Sequence, residues 1–136
     1  MKDTEDVLMT SMYIDFCLES NERMVDLDKF FAGKIKKQIC KGKEIAMHDE
    51  YRWQLITDKM FCIDTNDILK EFCIQFCKNK REIMEEIKNA SAKSNLCIVI
   101  NFEDEENDDF SISLDSEMVL FLAELNAEFS VDGIYQ

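Results

Sequence analysis

The sequence predicts one α+β domain: a mostly antiparallel or mixed sheet of about five or six strands with helices packed on one face. Three observations lead there. Stretches near 12–18, 51–56 and 110–114 alternate apolar and polar residues, the mark of a half-buried strand. Stretches 68–87 and 118–125 repeat apolar residues at spacings of three and four, the mark of an amphipathic helix. Leu96 to Phe102 is almost continuously apolar, as in a strand covered on both faces. A chain of 136 residues, 46% of them hydrophobic, has enough material for one core without covalent staples.

The elements follow in order. Residues 1–8 read as a loosely held N-terminus, and 9–136 as the domain. Met12, Ile14, Phe16 and Leu18 alternate with Tyr13, Asp15, Cys17 and Glu19 to give the first strand. Asp26 is placed to cap a short helix that carries Leu27, Phe30 and Phe31 and stops at Gly33. Ile35 to Ile45, with Lys36, Lys37, Lys41 and Lys43, reads as a loop entering an edge strand, where lysines discourage pairing with other chains. Tyr51, Trp53 and Leu55 alternate with Arg52, Gln54 and Ile56 in the next strand. Asp64 to Asp67 supplies capping side chains for one long helix, whose stripe of Ile68, Leu69, Phe72, Cys73, Phe76, Ile83, Met84 and Ile87 runs to about Asn89. After the central strand at 96–102, Glu103 to Asp109 reads as a turn into a short strand of Phe110, Ile112 and Leu114. Asp115 or Ser116 caps a last helix bearing Met118, Phe121, Leu122 and Leu125, and Phe129, Val131 and Tyr135 form the final strand. The predicted order is β-α-β-β-α-β-β-α-β.

Charge narrows the function. With 29 acidic and 16 basic side chains the net charge is −13. Such a chain repels nucleic-acid phosphates and anionic membrane surfaces, so neither is an expected partner. No apolar run reaches the ~18 residues of a membrane span. The segment Met1 to Asp6 lacks the basic and apolar regions of a secretory signal, and the expected compartment is the cytoplasm. The acid is unevenly placed: residues 95–136 hold 11 acidic side chains and no basic one.

Catalytic and metal-binding patterns are weak. His48, the single histidine, lies between Met47 and Asp49 in an expected turn, with no oriented partner that would make a nucleophile–base pair. The six cysteines, Cys17, Cys40, Cys62, Cys73, Cys77 and Cys97, are spread through the chain and read as free, buried small hydrophobes. Cys73 and Cys77 stand four apart on the long helix, where core packing is the expected role and metal ligation the lesser one. The turn at 103–109 lacks the glycine and terminal glutamate of an EF-hand loop. No catalytic residue, metal or cofactor is therefore expected.

The layout resembles a bacterial family catalogued as domain of unknown function 4279. The matching pieces are the strand Tyr13 to Leu18, the segment Phe30-Phe31-Ala32-Gly33, and Lys41-Gly42-Lys43 ahead of the strand bearing Trp53. They continue through Ile98-Val99-Ile100, Ser113-Leu114 and the ending Val131-Asp132-Gly133-Ile134-Tyr135, so that the likeness spans about residues 10–135. The proline that the family usually carries soon after its first helix is absent, and Lys36 stands at about that place. The resemblance implies a small stand-alone bacterial domain. It carries no assigned reaction and hence no catalytic residue to transfer.

The functional expectation is a non-enzymatic acidic binding protein, in its most concrete form an immunity or inhibitor protein that neutralises a basic toxin or nuclease. Glu103, Asp104, Glu105, Glu106, Asp108 and Asp109 are the expected partner-binding residues, because a dense negative patch steers a cationic partner. The alternatives are an accessory domain whose acidity serves solubility and a small-molecule binder with a pocket between sheet and helices. A monomer or small homo-oligomer is expected.

Overall fold

The computed structural model describes residues 10–22, 27, 30, 37–41, 50–102 and 110–135. Its strands are β1 (Ser11–Ser20), β2 (Lys37–Lys41), β3 (Glu50–Ile56), β4 (Met60–Phe61), β5 (Lys93–Phe102) and β6 (Ala127–Tyr135), and its helices are α1 (Thr65–Cys77), α2 (Lys80–Asn89) and α3 (Ser116–Leu125). They build one open mixed sheet in the order β2-β3-β1-β5-β6, with the two-residue β4 pairing β1 off this path. Pairing is antiparallel except between β5 and β6. A parallel neighbour needs a crossover connection, and α3 supplies it.

Period-2 patterning decides which face carries the core. Leu55, Phe16, Leu96 and Phe129 lie in register across four strands, so one row of apolar side chains crosses the sheet on one side. Met12, Ile14, Phe16 and Leu18 are all fully buried, while the intervening Tyr13, Asp15, Cys17 and Glu19 are half-buried on the other face. The helices cover the apolar side. Phe72 and Phe76 of α1 pack on Phe16 at ring-centroid distances of 5.3 and 6.2 Å, and Phe121 of α3 lies 5.3 Å from Phe76. Trp53 is fully buried beside Phe16, as expected of a core aromatic. The opposite face is polar at its centre: Arg52 of β3 donates twice to Glu19 Oε2 of β1, at 3.0 and 2.6 Å, and Gln54 donates to Asp15.

Three local expectations change. The long helix is two helices. Lys78 and Asn79 donate their N–H groups three residues back, to Gln75 and Phe76, and α2 restarts after Asn79. Residues 78–82 are all polar, so no apolar contact holds that turn straight, and the break lets Ile83 and Ile87 reach the core at their own angle. Second, Phe110 to Leu114 is no strand of the sheet. Both edges of β5 are already taken by β1 and β6, so the hairpin expected there has no place to form. The segment instead bridges to α1, with Asp64 and Ser111 as an isolated parallel pair. Third, β4 is a strand that the residue pattern did not announce. The lysine-bearing β2 does occupy a sheet edge, as expected. Of the expected first helix, Leu27 is buried and Phe30 packs against the core, whereas Asp26, Phe31 and Gly33 lie outside the described residues.

Candidate functional site

The six acidic residues expected to bind a partner, Glu103, Asp104, Glu105, Glu106, Asp108 and Asp109, lie outside the described residues, as does His48. The rest of the acidic C-terminal third is described, and its chemistry is set by α3 and β6. Asp115 begins α3 because its extended backbone turns the carboxylate onto the Met118 N–H at 2.9 Å. Asn126 ends the helix in the left-handed region (φ 52°, ψ 43°), and β6 starts at the next residue. Met118, Phe121, Leu122 and Leu125 are buried, leaving Glu117 and Glu124 on the exposed side. Along β6, Phe129 and Val131 turn to the core, and Glu128, Ser130 and Asp132 are exposed. β6 is last in the sheet, so among the described residues one side of its backbone has no neighbouring strand. Glu103 follows Phe102 directly in the chain, and Phe102 is registered with Tyr135 at the end of β6.

The starts of α1 and α3 are locked together. Asp64 caps α1 by accepting from the Asn66 N–H at 2.9 Å, and it also accepts from Ser113 Oγ at 2.7 Å. The Asn66 side chain donates to Asp115 Oδ2 at 3.2 Å and accepts from the Asp115 N–H at 2.9 Å. Between them, the fully buried Thr65 hydroxyl donates to the Ser113 carbonyl and accepts from the Ser113 N–H, both at 2.9 Å. These bonds hold both capping carboxyls below the usual carboxylate range. For Asp64 the first cause is the Ser113 hydroxyl, and for Asp115 it is the Met118 N–H.

Two concavities flank α1. One, of about 310 Å³, opens between α1 and the β3–β4 connection. Ile14, Leu55, Met60 and Phe72 make its apolar walls, and Asp58, Lys59 and Glu71 lie at its charged side. The Thr57 hydroxyl in its wall accepts from the Ile14 N–H at 2.9 Å, tying the connection to β1. The other is a groove of about 460 Å³ between α1 and α3 that contains Cys73 and Cys77. Their sulfurs lie 3.9 Å apart. Cys73 is half-buried and packs against the core, as expected, whereas Cys77 is exposed. Cys17, Cys62 and Cys97 are half-buried like Cys73, so none of these five cysteines is fully buried. Burial, followed by the neighbouring Cys77 sulfur, pushes the Cys73 thiol up to about 12. Lys80 donates to Glu124 across the groove at 2.7 Å, which raises its own pKa.

Sequence reasoning allowed for a pocket between sheet and helices but missed the groove between α1 and α3 and the interlocking of the caps. Ile74 and Leu120, apolar residues off the buried stripes of their helices, were the available signal for the groove. The caps carried none, because Thr65 and Ser113 are 48 residues apart. No described group of three or more ligating side chains is placed to hold a metal ion, and no described helix is long and apolar enough to cross a membrane.

A family model described as Domain of unknown function (DUF4279) matches residues 34–136. The match begins after β1, so the most deeply paired strand of the sheet lies outside it. No curated protein and no solved structure matches the chain.

Proposed function

The chain belongs to the DUF4279 family, and from that premise we propose that it is a non-enzymatic binding module for a basic protein segment, received along β6 with the help of the acidic residues 103–109. One observation carries the reading. The strand at the open edge of the sheet is nine residues long, exposes Glu128 and Asp132 on one side, and belongs to a stretch with no basic side chain. An open edge offers backbone hydrogen bonds to an extended segment, and the carboxylates favour lysine or arginine at alternate positions of that segment. Glu103 to Asp109 adds charge that accelerates encounter. The partner class is a basic protein, most concretely a toxin or nuclease whose cationic site is occluded, and the setting is a bacterial cytoplasm.

An eight-residue peptide alternating lysine and valine, labelled for fluorescence anisotropy, tests this. Binding should weaken steeply with added salt, and E128Q/D132N should weaken it about tenfold, as expected for two lost charge-assisted contacts. Replacing the six acids among residues 103–109 by Ser and Asn should slow association about tenfold while leaving dissociation nearly unchanged. Salt-independent binding, or equal binding by all variants, refutes the reading.

The cavity beside α1 supports a second reading, a small-molecule site. Its volume is at the small end of ligand pockets, and its wall is apolar with a few polar groups. A metabolite that raises the unfolding midpoint in wild type but not in Ile68→Trp, which fills the cavity, would support it.

A further inference from the structure

The groove between α1 and α3 contains chemistry that the basic-partner reading does not use. Cys73 and Cys77 stand one helical turn apart with their sulfurs 3.9 Å from each other. Two thiolates bound to one tetrahedral zinc ion, at Zn–S distances of about 2.3 Å, lie about 3.8 Å apart. The pair is thus already spaced as two corners of a zinc tetrahedron. Cys77 is exposed, so an ion can reach it from solvent. The described residues offer no third ligating side chain in place. One chain therefore supplies half of a structural zinc site.

The surface around the pair indicates what supplies the other half. Ile74 and Leu120, which line the groove, are 53% and 66% exposed, an apolar patch on the two helices that border it. Chains of charge −13 repel one another, so self-association requires a face where charges cancel. The groove is such a face: its lining contains Lys70 and Lys80 together with Glu117 and Glu124. A twofold axis sets the same patch against itself, places each cysteine pair opposite its copy, and allows Lys70 of one chain to meet Glu117 of the other, Lys80 being paired with Glu124 of its own chain.

We propose that Cys73 and Cys77 are half of a four-cysteine zinc site completed by the same two residues of a second copy, docked groove to groove across α1 and α3. Four thiols bind one Zn²⁺ through four Zn–S bonds and release four protons, with no change of oxidation state. The ion closes the site and the apolar patch makes the surrounding contact. The acidic edge at β6 remains free to act.

Native mass spectrometry of the reduced full chain, titrated with zinc chloride alone, tests this. The expected result is a dimer carrying one zinc ion per two chains, which a chelator returns to monomer. Cys73→Ser and Cys77→Ser should each abolish both zinc uptake and the dimer, with circular dichroism confirming the fold. Leu120→Glu, which leaves the thiols intact, should weaken the dimer at least tenfold. Cobalt in place of zinc should show thiolate-to-metal charge-transfer absorption in the wild type only. Four results overturn the proposal: one zinc ion per chain, uptake that persists in the C73S/C77S double variant, a dimer indifferent to chelator, or no uptake by the reduced chain.

Discussion

Thr65→Val isolates the lock between the two helix starts. The substitution keeps shape and β-branching but removes the hydroxyl. That hydroxyl is fully buried and makes two bonds to the backbone of Ser113, one given and one received, each at 2.9 Å. A hydrogen bond of this kind contributes about 1 kcal/mol net, so two lost bonds cost about 2 kcal/mol. Ser113 is exposed, and water can partly satisfy its freed groups, which keeps the cost near that figure rather than above it. The added methyl regains at most about 0.8 kcal/mol by burial. The expected loss is therefore 1–2 kcal/mol, roughly, or a fall in midpoint of about 4–8 °C for a domain of this size. Urea unfolding followed by circular dichroism reads the change in midpoint at unchanged slope. Thr65→Ser, which retains the hydroxyl, should lose less than half as much. A Thr65→Val protein within about 0.5 kcal/mol of wild type would show that the Thr65 hydroxyl carries no stability and that the Asp64–Ser113 and Asn66–Asp115 bonds and the aromatic packing hold the helices without it.

Acid should act through the same residues. Asp64 and Asp115 have folded pKa values below their ordinary ones, so their stabilisation is fully present above the unfolded value near 4 and is lost as pH falls through the folded values. An unfolding midpoint measured from pH 6 down to pH 2 should drop below about pH 4, and Asp64→Asn should flatten that drop. Asn126→Val should cost about 1–2 kcal/mol because a β-branched residue is strained at φ 52°, whereas Asn126→Gly should be close to neutral; equal midpoints for the two would refute the left-handed cap. Gly133→Ala should destabilise by about 1–2 kcal/mol, since an added Cβ would sit 2.8 Å from Phe102 Cε2 in a ring already packed on Phe110, and chymotryptic cleavage after Phe110 should accelerate.

The proposed mode of binding rests on the edges of the sheet among the described residues. β2 and β6 are its two edges, and they differ in chemistry: β2 begins and ends with lysine, whereas β6 belongs to a stretch without a basic residue. On the proposed reading, a basic strand would be attracted to β6 and repelled at β2, so that charge would select the edge. The family match covers β2 to β6 but not β1, so the strand that joins β3 to β5 comes from outside the matched region. The sheet cannot close without it, and any shortened version of this chain intended for study should retain residues from Thr10 onward.

Much of the molecule is determined by local pattern. The alternation in Met12 to Leu18 settles which face of β1 is buried, because successive side chains in a strand point to opposite sides whatever lies around them. The cap at Asp115 and the stripe Met118-Phe121-Leu122-Leu125 settle α3, since capping and amphipathic period are properties of neighbours in sequence. The same holds for the edge position of a lysine-bearing strand and for the concentration of acid after residue 95. What tertiary structure decided is whatever depends on competition for partners. Phe110 to Leu114 has the alternation of a strand, yet β1 and β6 take both edges of β5, and the segment is left to bond to α1 instead. The stripe from Ile68 to Ile87 reads as one helix, but core packing draws Ile83 and Ile87 into place through a break at Asn79. Cys73 and Cys77 match a buried stripe by spacing, and only the placement of α3 beside α1 leaves their sulfurs in an open groove. Local pattern specifies which side chains share a face; the edges and helix faces left without a partner are decided by the whole chain packing at once.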